Sequence, residues 1–310
     1  MTKRAKLTRR SMLAGAAAAP VAATLLPSQS LAKAEMKGVG TTRFNRMKLG
    51  QFEVTTLLVG TRTVEGPQNI FGMNVSAEEF AKASEAANIP TNAAQFFFTP
   101  TIVNTGDELV LFDAGLSPEA ITGALAAAGY TPDQVDKVVI THMHGDHIGG
   151  VAGEGGVTFG NAQHLTGRVE FDAWAKTDGN KAFEGKIRPN AERFDMIEDG
   201  ASVASGITAV GTFGHTPGHM AYMIESDGKQ IMLCADFANH YVWSLAYPDW
   251  EVKFDMDKAA AAATRRKVLD MLAADKVPFV GYHMPWPAVG YVESHDGAYK
   301  YAPASYQLML

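Results

Sequence analysis

One cysteine, Cys234, is all the chain has in 310 residues, so no intrachain disulfide can form in any compartment. Placed in the apolar run Ile231-Met232-Leu233-Cys234, it reads as a buried, inert thiol. Positive charge is scarce as well. Residues 1–34 hold six of the 27 Lys and Arg residues and none of the 33 acidic ones, which leaves 21 basic against 33 acidic residues and a formal net charge of −12 on the remainder. That remainder has no Lys/Arg-rich run, and an acidic surface repels a phosphate backbone, which argues against a nucleic-acid partner. Long apolar runs are missing too: Met12–Leu26 is too short to stay in a bilayer as a spanning helix.

The first residues instead show the three regions of an export signal in order. Lys3, Arg4, Lys6, Arg9 and Arg10 precede the Ala-rich run, and Ala32-Lys33-Ala34 follows it. Thr8-Arg9-Arg10-Ser11-Met12-Leu13 resembles the twin-arginine type, a route for proteins exported already folded. The expectation is a cleavable signal over 1–34, no stable membrane anchor afterwards, and a periplasmic or secreted mature chain from Glu35.

No linker rich in Pro, Gly or Ser divides residues 35–310, so they are expected to form one catalytic domain. Strand material runs from Met47 to Val64, and Ala77–Ala87 reads as a short helix. Thr101-Ile102-Val103 and Leu109-Val110-Leu111-Phe112 form a hairpin ending at Asp113-Ala114-Gly115. Pro118–Ala128 is a helix with Pro in its first turn and Gly129 beyond its end. Further strands are expected at 135–140, 157–166 and 207–213, with a hairpin of 220–224 and 230–233 around Ser226-Asp227-Gly228. A helix at 257–274 and a strand at 277–282 close the pattern. Strand pairs alternating with helices predict an α/β sandwich.

The strand ending at Ile140 delivers His142, His144, Asp146 and His147 in the Gly-containing stretch THMHGDHIGG. Imidazoles and a carboxylate this close suit Zn, Fe, Co or Mn, and neutral histidines have little reason to converge without a metal. Gly214-His215-Thr216-Pro217-Gly218-His219, Cys234-Ala235-Asp236 and His283 also fall at predicted strand ends, where a shared site would form. Asp113, at another strand end, is a candidate to accept a hydrogen bond from a ligand imidazole. Phe96-Phe97-Phe98 reads as core rather than as a pocket wall.

These motifs, in this order, resemble those of the metallo-β-lactamase-fold hydrolases. The resemblance implies an α/β (α+β) fold, an αββα four-layer sandwich with metals at one edge. It implies two divalent ions, Zn foremost with Mn, Co or Fe as alternatives. His142, His144 and His219 would hold the first, Asp146, His147 and His283 the second, and Asp236 would bridge both. Asp236 and Asp146 would be the catalytic carboxylates. "RMKLGQFEVTTL", "AAGYTPDQVDKVVITHMHGDH" and "GYHMPWPAVGYVESHDGAYKYAPASY" are similar to the methyl parathion hydrolase, lactonase and arylesterase group, which implies substrate-pocket aromatics at Trp174 and Phe183 and suggests a homodimer. The segment Leu116-Ser117-Pro118-Glu119 lacks the aromatic of the phosphotriester-cleaving members.

Two cations sharing a solvent ligand would make hydroxide available near neutrality. With few cationic side chains near the motifs, the expected substrates are small neutral esters or lactones, with phosphotriesters secondary. An iron-dependent sulfur (persulfide) dioxygenase on the same fold is the competing enzyme class, and a metal- or lactone-binding protein without turnover is the third reading.

Overall fold

The computed structural model describes residues 35–36, 40–177, 179–295, 297–304 and 309–310. The expected export signal lies outside the described residues. The chain divides into residues 1–40 and 41–310, and the second unit is described below.

Its frame is two seven-stranded sheets. The N-terminal sheet runs in the order 44–49, 52–57, 101–104, 109–112, 137–140, 163–167 and 194–197. Its first four strands pair antiparallel and the rest join in parallel. The C-terminal sheet runs 202–204, 207–211, 220–226, 229–235, 279–281, 289–295 and 298–303, antiparallel except where 229–235 meets 279–281.

The alternation of side chains along each strand decides the layers. Val103, Val110, Phe112 and Val139 face the C-terminal sheet in one core. Their neighbours Ile102, Leu109, Leu111, Val138 and Ile140 face the opposite way and pack with Ile121 and Leu125 of the helix Pro118–Ala127 and Trp174 of the helix Arg168–Ala175. A sheet buried on both faces needs near-continuous apolar runs, which is why these strands do not alternate with polar residues. Each fully buried Val or Leu stabilises by about 1.5–3 kcal/mol. The long helix Lys258–Asp275, capped by the Asp257 side chain on Ala260 N–H, adds Val268, Leu269 and Leu272 to the other side of the core. The result is the expected αββα sandwich.

Several boundaries differ from the sequence reading for local reasons. The stretch 47–64 is cut into 44–49, 52–57 and 60–65, because Gly50 turns at φ +58° against the Ser226 carbonyl, where no side chain fits. Residues 93–98 form a strand paired with 60–65 in a separate two-stranded ribbon. A third apolar cluster, with Phe71, Phe80, Trp243 and Trp250, supports that ribbon from below. Among the described residues no helix is long and apolar enough to cross a membrane.

Candidate metal centre

Four chain segments that end strands bring the polar groups together. After Ile140 the backbone enters the 141–144 loop and a short helix, Gly145–Ile148. Strand 229–235 ends at Ala235 with φ 45°, a left-handed conformation costing about 1–2 kcal/mol for a non-glycine residue. That turn places Asp236 between two groups of histidines.

In the first group, His142 Nε2 lies 3.1 Å from His144 Nδ1, which lies 3.0 Å from His215 Nε2. Asp236 Oδ2 is 3.5 Å from His215 Nε2 and 3.9 Å from His142 Nε2. The second group joins Asp146, His147 and His283, with Asp146 Oδ2 3.6 Å from His147 Nε2 and 3.3 Å from His283 Nε2. Asp236 reaches this group as well, at 3.3 Å from both His147 Nε2 and His283 Nε2. One carboxylate therefore touches both groups.

Outer partners fix which ring nitrogens face inward. His147 Nδ1 donates to Asp113 Oδ2 at 2.7 Å, His215 Nδ1 to Asp255 Oδ1 at 2.9 Å, and His283 Nδ1 to the Phe97 carbonyl at 2.8 Å. Thr141 Oγ1 donates to Asp113 at 3.0 Å, so its lone pair accepts from His142 Nδ1 at 3.1 Å. Each of these four imidazoles thus turns its Nε2 to the centre, the nitrogen that would be free to bind a cation. The carboxylate expected at Asp113 is in place, itself held at φ 63°.

Converging lone pairs cannot satisfy one another; a cation can. His147 Nε2 and Asp236 Oδ1 are buried without a hydrogen-bond partner, which fits a metal ion between them. The electrostatics agree. Burial and the neighbouring imidazoles hold His142 far below the usual range and His144 down to about 3, keeping them neutral as ligands must be. Burial also disfavours charge on His147 and His283, yet Asp236 and its fellow carboxylates outweigh it, raising His147 strongly and His283 to about 10. The chain concentrates negative potential where a cation would sit.

His219 stands beside the first group, its ring centroid 5.0 Å from that of His142. Its Nε2 accepts the Asp236 backbone N–H at 3.1 Å and its Nδ1 bonds Thr212 Oγ1 at 2.8 Å. Both nitrogens of His219 thus have partners in this structure, and His215 is the histidine of this loop that groups with His142, His144 and Asp236. The two histidines sit four apart in one loop, and their ring centroids lie 4.9 and 5.0 Å from that of His142.

Above the centre lies a cavity of about 530 Å³. His144, Asp146, Asp236 and His283 form its floor, and Val64, Ile70, Phe96, Phe98, Leu116 and Phe254 its apolar wall. Trp174 and Phe183, expected in the pocket, do not line it. Trp174 is buried behind His144, donating from Nε1 to Glu170 Oε1 at 2.6 Å, and Phe183 is fully buried in the helix-side core. The aromatic wall comes instead from Phe96 and Phe98, which stand edge-on to His283.

Glu170, which nothing in the sequence singled out, is fully buried. Its Oε1 accepts from Met143 N at 2.9 Å and its Oε2 from Thr216 Oγ1 and Gly218 N, both at 2.8 Å. It therefore ties the His142–His144 loop to the His215–His219 loop. Burial raises its pKa against these bonds.

Residues 99–283 match the Metallo-beta-lactamase superfamily. The chain belongs to that superfamily. An N-acyl homoserine lactonase from Bacillus sp is 29% identical over 153 residues, 49% of this chain and 58% of the lactonase, so the chain spans little more than half the length of that relative. Among solved structures, the hydrolase AbOPH superposes with a TM-score of 0.79 at 25% identity, covering 87% of this chain and 100% of that one. AidC, a dizinc quorum-quenching lactonase, gives 0.78 at 23% identity, with 85% and 98% covered, a likeness of fold.

Proposed function

We propose that the protein is a binuclear metal-dependent hydrolase of carboxylic esters and lactones. The observation that carries this reading is Asp236, within 3.3–3.9 Å of four histidines from two ligand groups at the floor of an apolar cavity. His142 and His144, with His219 or His215 as the third imidazole, would hold one ion, Asp146, His147 and His283 the other, with Asp236 shared. Zinc suits this mix of imidazole and carboxylate. When bound, two such ions lower the pKa of water toward neutrality and polarise a carbonyl oxygen.

The chain's own residues do the rest. Phe96, Phe98 and Phe254 shelter the reacting ester from bulk water and hold its acyl part. Asn239 donates to Asp236 Oδ2 at 2.8 Å, keeping that carboxylate oriented. Asp146, whose side chain is 25% exposed against 4% for Asp236, is the carboxylate that a proton released in the cavity reaches first. The lactonase relative supports lactones as substrates. Export through the signal over 1–34 and a homodimer belong to the same proposal.

Metal analysis of the purified protein, paired with hydrolysis of an aryl ester, a lactone and a phosphotriester, tests the reading. About two ions per chain with ester or lactone turnover supports it. One iron, no hydrolysis and oxygen uptake with a persulfide would replace it with a dioxygenase. Asp236→Asn should keep the fold and lose most turnover, by roughly 10²-fold or more; near-normal rates would refute the shared ligand.

A further inference from the structure

The sequence shows few cations near the metal motifs, but the fold brings two to the cavity from distant segments. Arg62 and Val64 project from one face of strand 60–65, and Phe96 and Phe98 from the same face of strand 93–98, with Arg62 directly opposite Phe96 in the register. All four line the cavity. Lys253 arrives on a distant segment held by Lys253 N–H donating to the Ile70 carbonyl at 2.8 Å, and it lines the same space. Both cations are exposed, and no ion pair joins either to a described carboxylate. Among the described residues, the only acidic side chains lining the cavity are Asp146 and Asp236 on the floor.

A chain with a formal net charge of −6 thus carries two uncompensated cations on the wall of its own site. The rest of that wall is apolar, which strengthens their pull on an anion. We propose that the cavity receives esters or lactones whose non-reacting end carries a carboxylate, bound by Arg62 and Lys253; this rests on the hydrolase reading above. The guanidinium fork suits a carboxylate, and Lys253 supplies a second point charge. The apolar residues between wall and floor accommodate the carbon chain that separates carboxylate from scissile ester.

The test compares the 4-nitrophenyl ester of hexanoic acid with the mono-4-nitrophenyl ester of adipic acid, equal in chain length and different in terminal charge. The expected result is a kcat/KM about tenfold or more higher for the adipate ester, carried by KM and shrinking as salt is added. In Arg62→Gln/Lys253→Gln the ratio should fall to near one, and in Arg62→Glu/Lys253→Glu it should invert. Binding of adipic acid monoanilide against hexananilide, measured by calorimetry, should show the same order independently of turnover. A wild-type ratio near one, or a ratio that survives both double substitutions, overturns the inference while hexanoate turnover leaves the hydrolase intact. Turnover of neither ester removes the hydrolase reading, and this inference with it.

Discussion

Glu170 shows how one buried side chain can set the geometry of a centre it does not enter. A carboxylate offers only acceptors, and all four of its partners are donors. Glu170→Gln would turn an amide N–H₂ toward two of those donors, so we expect a loss of about 2–5 kcal/mol in stability and roughly 10–100-fold in zinc affinity. Equilibrium dialysis with zinc would check the second figure, and unchanged affinity would show that the two loops hold themselves. His240 offers a separate pH signature. Its Nδ1 accepts from Val242 and Trp243 N–H, its ring stacks on Trp243, and burial pushes its pKa down to about 3. Unfolded histidine titrates near 6.5, so protons bind the unfolded chain better. This contribution is complete above about pH 6.5 and falls by up to roughly 1.4 kcal/mol per unit as pH drops toward 3. His240→Asn keeps an acceptor and removes the titration. Urea midpoints from pH 3.5 to 7 should converge for the two proteins as pH falls, and parallel curves would contradict the assignment.

At the scale of elements, the 60–65/93–98 ribbon and the His215–His219 loop do most to shape the site. The ribbon gives the cavity one face of alternating side chains and turns Gln95 and Phe97 to a second, smaller hollow behind it. Phe98→Ala should raise KM for a hexanoyl ester about tenfold, by removing apolar contact worth roughly 1–3 kcal/mol, with metal content unaltered. Equal KM values would place the acyl group elsewhere. In the loop, a Cβ on Gly218 would land on the Glu170 backbone nitrogen. Gly218→Ala therefore forces the loop away from the helix Arg168–Ala175. The strand pattern through Val110, Val139 and their neighbours was readable from the sequence because a doubly buried sheet leaves an apolar run. The ribbon was not, since Phe96-Phe97-Phe98 looks the same whether it lines a core or a cavity.

For the whole molecule, the cluster of buried carboxylates and imidazoles makes folding and metal binding interdependent. Ions held at 100 to 1,000 times their dissociation constants stabilise by about 3–4 kcal/mol per site. Chelation should therefore lower Tm by roughly 5–15 °C, as scanning calorimetry with and without a chelator would show. An unchanged Tm would mean that no metal is bound in the native protein.

The sequence by itself determined the sandwich fold and most of the residues that gather at the candidate metal centre, because strand ends, Gly-rich turns and clustered histidines are local features. It also placed Asp113 beside an imidazole. Three matters were left to tertiary structure. His215 groups with His142, His144 and Asp236, while His219 accepts the Asp236 backbone N–H 17 residues away along the chain. The pocket's aromatics are Phe96 and Phe98 rather than Trp174 and Phe183, because Glu170 holds Trp174 behind the centre. The cavity's positive side chains are Arg62 and Lys253, nearly two hundred positions apart. Each is a contact between distant segments, and its energy exists only once the sheets have closed on one another.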